Sequence, residues 1–225
     1  MRSIYYPQRE VTVVMTSFNR LELLKRTVDS FMKYNTYPIK EFIIVDDSAN
    51  EDMHDSLKGL YPDFTLVLNE ENIGVFESID KVYANIQTPY IFQTEEDWDY
   101  HREGFIEKSM KVLESDPKIC LVWIRDWDYL QDHPVLPELY HAGGVPFHLL
   151  GDGEYWHGWS GAPGLRRLSD YKLIAPYCQW SKKTDRMTVR ECMIDNAFWR
   201  LGFKSALLLD GYITHTGGGQ STRDE

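Results

Sequence analysis

The residues of this chain most able to do chemistry stand where its apolar runs end. In "YIFQTEEDWDY" an apolar run breaks into Glu95, Glu96 and Asp97, with Asp99 two positions on. The run "EFIIVDD" ends in Asp46 and Asp47, "VTVVMT" leads into Ser17, Phe18, Asn19 and Arg20, and "FTLVLN" leads into "EENIG" at Glu70 to Gly74. Carboxylates this close repel one another, and each needs a proton, a donor or a cation once it leaves water. A hard divalent cation, Mg2+ or Mn2+, meets that need, taking carboxylate oxygens on one side and phosphate oxygens on the other. A diphosphate can then approach a cluster that would otherwise repel it. The same acids would also suit the first turn of a helix, because "REGFIEK" follows them.

Other phosphate chemistry is not supported. No G-x-G-x-x-G follows the first apolar run, and neither G-x-x-x-x-G-K-[ST] nor G-x-S-x-G occurs, so a dinucleotide fold, a P-loop and a nucleophile elbow lack their residues. A nucleotidyltransferase wants a glycine-rich loop after the first strand, and "TSFNR" has no glycine.

The elements that must position these residues alternate. "VTVVMT" is β-branched and continuous, as in a strand buried on both faces, and "LELLKRTVDSFMKY" carries a helical stripe at Leu21, Leu24, Val28, Phe31 and Met32. "EFIIVDD", "FTLVLN", "PYIFQT" and "KICLVWIRDW" read as further strands, separated by helices that include one capped by Asn50. This order predicts an α/β class with three layers, a mostly parallel central sheet and right-handed crossovers. Ligands of such sheets bind beyond the carboxyl ends of the strands, where the polar residues gather here. Residues 126–164 have no sustained period and are rich in Gly, Pro, His and Trp, as functional loops often are. Helical pattern returns in "MTVRECMIDNAFWRLGF", and "SALLLDGYITH" reads as one or two strands.

Composition narrows the class. At 225 residues with 43% hydrophobic and 26% charged positions, the chain reads as one globular domain over 1–225. A formal charge of −11 argues against a nucleic-acid partner. Three cysteines at irregular spacing form neither a disulfide framework nor a zinc pattern. No window approaches the roughly eighteen apolar residues of a transmembrane segment, and the start has no signal-peptide core, so the expected location is cytoplasmic.

"VTVVMTSFNRLELLKRTVDSF", "IIVDDSAN", "ENIGVFESIDKVYANIQTPYIFQTEEDW" and "GYITHTGGG" together resemble the GT-A-fold, family-2-like glycosyltransferases that use nucleoside-diphosphate sugars. The resemblance implies a three-layer, Rossmann-like GT-A fold. Its donor half would be 1–100 and its acceptor half 101–225. It places Thr16, Ser17, Asn19 and Arg20 around the nucleotide, with Asp47 accepting from base or ribose. Asn72 and Gly74 would lie against the nucleotide and Lys81 near the phosphates. Glu95 and Glu96 would face the nucleotide sugar, in the position of D-x-D-type acids but with Glu first. Asp97 would be the direct metal ligand, with Glu95 beside ribose or metal, His215 completing the shell, and Gly217, Gly218 and Gly219 letting the tail close. An inverting transfer also needs a general base, and Glu191 or Asp195, one turn apart, would supply it. Trp156 and Trp159 would stack on an acceptor sugar, and Arg166 would serve an anionic acceptor or the leaving phosphate. The implied cofactor is Mn2+ or Mg2+; the partners are a nucleoside-diphosphate sugar and a carbohydrate or glycoconjugate acceptor. The alternative function is a non-catalytic nucleotide- or glycan-binding module of the same fold.

Overall fold

Alternation along β1 (Val11–Ser17) sets the layers: every residue is buried, with Val11, Val13 and Met15 in one apolar cluster and Val14 in the other. The computed structural model describes residues 9–126, 133–151 and 153–217. On the first face lie α1 (Leu21–Tyr34), α2 (Glu51–Leu60) and α4 (Phe105–Ser115), which bury Leu24, Phe31, Leu57 and Ile106 against the sheet. On the second lie α3 (Val75–Tyr83), α5 (Leu168–Ile174) and α6 (Met187–Arg200), through Phe76, Ile79, Tyr171 and Phe198. Asn50 caps α2 as expected, its side-chain oxygen accepting from Asp52 N at 3.0 Å and Met53 N at 3.3 Å. No helix of the described residues is long and apolar enough to cross a membrane.

The main sheet contains β2 (Glu41–Asp46), β3 (Thr65–Leu68), β4 (Tyr90–Glu95), β6 (Ile119–Trp123), β7 (Tyr140–Ala142), β8 (Val145–Leu150), β9 (Gly164–Arg167) and β10 (Lys204–Leu208) beside β1. Its order is β3-β2-β1-β4-β9-β6-β10-β8-β7. Only β8 and β9 run against the other described strands, so the sheet is mostly parallel, as expected. A separate ribbon pairs β5 (Trp98–Tyr100) with β11 (Ile213–His215), setting His215 opposite Trp98.

Two strands depart from the sequence reading. One is β5, into which the chain turns at Glu96–Asp97; the acids open no helix, and α4 starts only at Phe105. The other departure is β9, which lies antiparallel between β4 and β6. A side chain on Gly164 would bring its Cβ within 2.5 Å of the Val122 carbonyl, so only glycine fits there. Gly218 and Gly219, expected to let the tail close, lie outside the described residues.

Asp80 of α3 ties that helix to the segment around residues 171–178. Its Oδ1 accepts from the Tyr171 hydroxyl and from Tyr177 N, both at 2.8 Å, and its Oδ2 from Cys178 N at 2.9 Å. Asp80→Ala strands three donors at about 1–3 kcal/mol each. We expect a loss of about 3 kcal/mol or more, read as a fall of about 10 °C in Tm.

Candidate active site

A cleft of about 890 Å³ opens at the carboxyl ends of β1, β2 and β4. Its walls include Thr16, Ser17, Arg20, Asp47, Asn72, Gly74, Glu95, Glu96, Asp97 and His215, all anticipated from sequence. Asn19 and Lys81 are not in the wall. Asn19 sits beside it, its Oδ1 accepting from Asn50 Nδ2 at 2.8 Å, and Lys81 donates to Asn69 Oδ1 at 2.7 Å.

Asp47 organises one side. Its Oδ1 accepts from Asn69 Nδ2 at 2.8 Å and Ile73 N at 2.9 Å, and its Oδ2 from Gly74 N at 2.7 Å. The second acid of "VDD" therefore fixes the Asn72–Gly74 loop as a wall of the cleft. Asp46, wholly buried, accepts instead from Ser48 N at 3.1 Å and faces His54 at 3.3 Å, turning the chain after β2.

The acids at the end of β4 have a cation of their own. Arg20 donates to Glu96 Oε1 from Nε at 2.7 Å and lies within 2.6 Å of it through a terminal nitrogen. Its other terminal nitrogen is 3.0 Å from Asp97 Oδ2. Part of the charge that the sequence reading assigned to a metal is thus met by a side chain. Burial pushes the Glu96 carboxyl up to about 7, with Arg20 opposing the shift. Glu95 Oε2 accepts from the Trp98 indole at 3.1 Å. Asp97 Oδ2 lies 3.2 Å from His215 Nε2, and the Trp98 and His215 rings approach at 4.8 Å. Thr216 N donates to the Asp97 carbonyl at 2.8 Å, and Gly217 closes over Asp97 so tightly that a Cβ there would fall 2.4 Å from Oδ2. Among the described residues no three His, Cys, Asp or Glu side chains are grouped to hold a metal. Asp97 and His215 meet as anticipated; Glu95 is turned toward Trp98.

The remaining anticipated residues lie outside the cleft wall, on α6, on the 156–159 segment and on β9. Asp195, 2% exposed, accepts from Trp159 N at 2.7 Å through one oxygen, and from His157 N at 2.7 Å and Nδ1 at 2.9 Å through the other. Burial pushes its carboxyl up, while those donors pull it back. Glu191, half-buried, accepts from Gly161 N at 2.9 Å and Ser160 Oγ at 3.2 Å through Oε1. Trp159, also 2% exposed, packs among Phe76, Tyr177 and Phe198 and offers no ring face to an acceptor. Trp156 is half-buried, its indole donating to the Trp159 carbonyl and its ring meeting Trp123 and His133. Arg166 lies within β9, 2% exposed, and donates to the Ser160 and Ala162 carbonyls at 3.1 and 2.7 Å. The next residue, Arg167, donates to the Ile119 carbonyl at 2.8 Å. Acceptor contact by Trp159 and Arg166 is therefore corrected: both side chains are spent on the interior.

The family model described as glycosyl transferase family 2 matches residues 12–171, which span both sides of this cleft. The chain belongs to that family. Its fold is the GT-A fold, shared with a mannosyltransferase from Pyrobaculum calidifontis, PcManGT, in complex with GDP-Man and Mn2+. That likeness has a TM-score of 0.66 at 14% identity and covers 97% of this chain and 59% of the other. S. aureus TarS matches with a TM-score of 0.62 at 13% identity over 92% of this chain and 36% of its own. TarS 1-349 in complex with UDP matches with a TM-score of 0.65 at 12% identity, over 91% and 59%. The chain thus spans less than two thirds of each of these neighbours, and at such identities the likeness shows the fold. No curated protein sequence matches the chain.

The sequence reading of this family 2 glycosyltransferase domain missed one wall of the cleft. Phe18, Val75 and Ser78 extend the anticipated loops, but Lys183, Thr184, Asp185, Arg186, Met187 and Arg190 form a side of their own. "SKKTDRM" has no period and no motif. Its one signal is a set of cations in an acidic chain, directly before a helix.

Proposed function

We propose that this domain transfers a sugar from a nucleoside-diphosphate sugar to a hydroxyl of a carbohydrate or glycoconjugate acceptor, with inversion and with Mn2+ or Mg2+. The observation that carries the reading is one cleft lined by two built groups at the ends of the strands that flank β1. Asp47 and its Asn72–Gly74 loop follow β2, and Asp97, paired with His215, follows β4.

The residues present fit a metal. Asp97 Oδ2 and His215 Nε2 are 3.2 Å apart. The carboxylate suits Mn2+ or Mg2+, and such an ion takes few protein ligands when phosphates supply the rest. When bound, the ion neutralises charge on the departing diphosphate. Asp97 and His215 would hold it, while Arg20 keeps Glu96 and Asp97 from repelling each other. Asp47 and the loop it fixes orient the nucleotide. Glu191, the residue after cleft-lining Arg190, takes the proton from the acceptor hydroxyl. The acceptor oxygen then bonds to the anomeric carbon as the bond to the diphosphate breaks on the opposite face. Asp195 is the weaker base, because both its oxygens already hold the 157–159 loop.

We treat residues 1–225 as one domain, with 1–100 serving mainly the donor and 101–225 the acceptor. A cytoplasmic location belongs to the same reading and is supported by three unbridged cysteines.

A thermal-shift panel of UDP- and GDP-sugars with and without Mn2+ tests the whole. A ligand at about 100 times its Kd stabilises by about 2.7 kcal/mol, a rise of roughly 5–10 °C in a domain this size. We expect that rise for one donor with Mn2+ and its loss in EDTA. A flat response to every donor in both conditions refutes the reading.

A further inference from the structure

Four cationic side chains line the cleft, and two of them are already spent. Arg20 is paired with Glu96 and Asp97. Arg190, 3% exposed, is paired with Glu77 at 2.7 Å. The other two, Lys183 and Arg186, stand on the turn that precedes α6. Lys183 Nζ donates to a carbonyl, that of Asn72, and meets no acid among the described residues. Arg186 is exposed and makes no ion pair among the described residues. The turn's own acid does not answer them: Asp185 Oδ2 accepts from Lys182 N at 2.8 Å, and Asp185 N donates back to the Lys182 carbonyl at 3.0 Å. The first turn of α6 likewise carries no acid and no side-chain cap.

In a chain of net charge −11, two such cations facing a cleft call for an anion. Asp97 and His215 line the same cleft and suit a cation, so a ligand that meets both groups must present negative charge to each. A diphosphate does this; a single carboxylate does not. Lys183 adds a second constraint, since its partner Asn72 belongs to the loop that Asp47 fixes. The turn therefore reaches across from the second half of the chain to the nucleotide wall.

We propose that Lys183 and Arg186 form a cationic clasp on the diphosphate of the donor, in the cleft that Asp97 and His215 also line. This deepens the proposed function and rests on it. The clasp discriminates nucleoside diphosphates from monophosphates, because its charge falls on the second phosphate. Arg186 can engage two phosphate oxygens through its planar fork, and Lys183 acts as a point charge.

The test is calorimetry in Mn2+ with UDP, GDP, ADP and CDP and their monophosphates. It compares the wild-type protein with Lys183→Ala, Arg186→Ala, the double variant and Arg186→Lys. In each alanine variant the preference for diphosphate over monophosphate is expected to fall about tenfold. It should fall further in the double variant, while Arg186→Lys keeps most of it. Both positions are exposed, and an unchanged Tm in each variant shows that folding is intact. Wild-type protein that binds no nucleoside diphosphate overturns the glycosyltransfer reading itself. Wild-type binding with an unchanged preference in the double variant overturns the clasp alone. The clasp is overturned even where transfer slows, since the cations would then serve a phosphate-bearing acceptor.

Discussion

Asp97→Ala is expected to abolish sugar transfer, lowering the rate at least about a thousandfold, as loss of a group that stabilises a departing anion does. Three losses coincide at this side chain. The metal position loses its carboxylate, His215 loses the oxygen 3.2 Å from its Nε2, and Arg20 loses one of its two acids. Donor affinity in Mn2+ should fall about tenfold or more, while affinity in EDTA, where Asp97 has no ion to hold, should change little. The fold should survive, because the Thr216 amide bonds to the Asp97 backbone carbonyl and not to its side chain. Paired measurements of turnover, donor binding with and without Mn2+, and Tm separate these effects. Full activity in Asp97→Ala would remove the metal assignment.

The second large effect is Glu191→Gln. The amide keeps an acceptor oxygen for Gly161 N and Ser160 Oγ but cannot take up a proton. Turnover should fall by about 100- to 10,000-fold, the usual weight of general-base catalysis, while donor binding holds. Asp195→Asn is the control with the opposite signature. It replaces one of two oxygens that accept from Trp159 N and from His157, stranding a donor at about 1–3 kcal/mol. Its expected mark is a lower Tm. If Asp195→Asn silences turnover at unchanged Tm while Glu191→Gln stays active, the base is Asp195.

The parts of this molecule that could be read from its sequence are those fixed by local rules. The continuous "VTVVMT" and the 3.6-residue stripe of α1 each carry their own signal, and Asn50 announces the start of α2. The polar strand ends then converge because parallel topology leaves them no other edge. What stayed hidden depends on long-range partners. Four residues with a glycine and two arginines do not look like a central strand, yet "GLRR" is one, because β4 and β6 each present it a free edge. Trp159 and Arg166 were misplaced for the same reason: residue type shows what a side chain could touch, and not that Asp195 and β9 draw it inside. The Glu95–Asp97 acids were legible as a cluster. That Arg20, seventy-odd positions earlier, already balances two of them was not.

The placement of β9 also restricts how the domain can move. Gly164–Arg167 is laddered to Tyr90–Gln93 on one edge and to Leu121–Trp123 on the other, so the two strands that flank it form a single plank with it. Among the described residues the hydrogen-bonded order of this sheet is unbroken from β3 to β7, so it holds no seam about which one half could swing as a jaw against the other. Substrate entry and product exit must then be managed by what hangs from its rim.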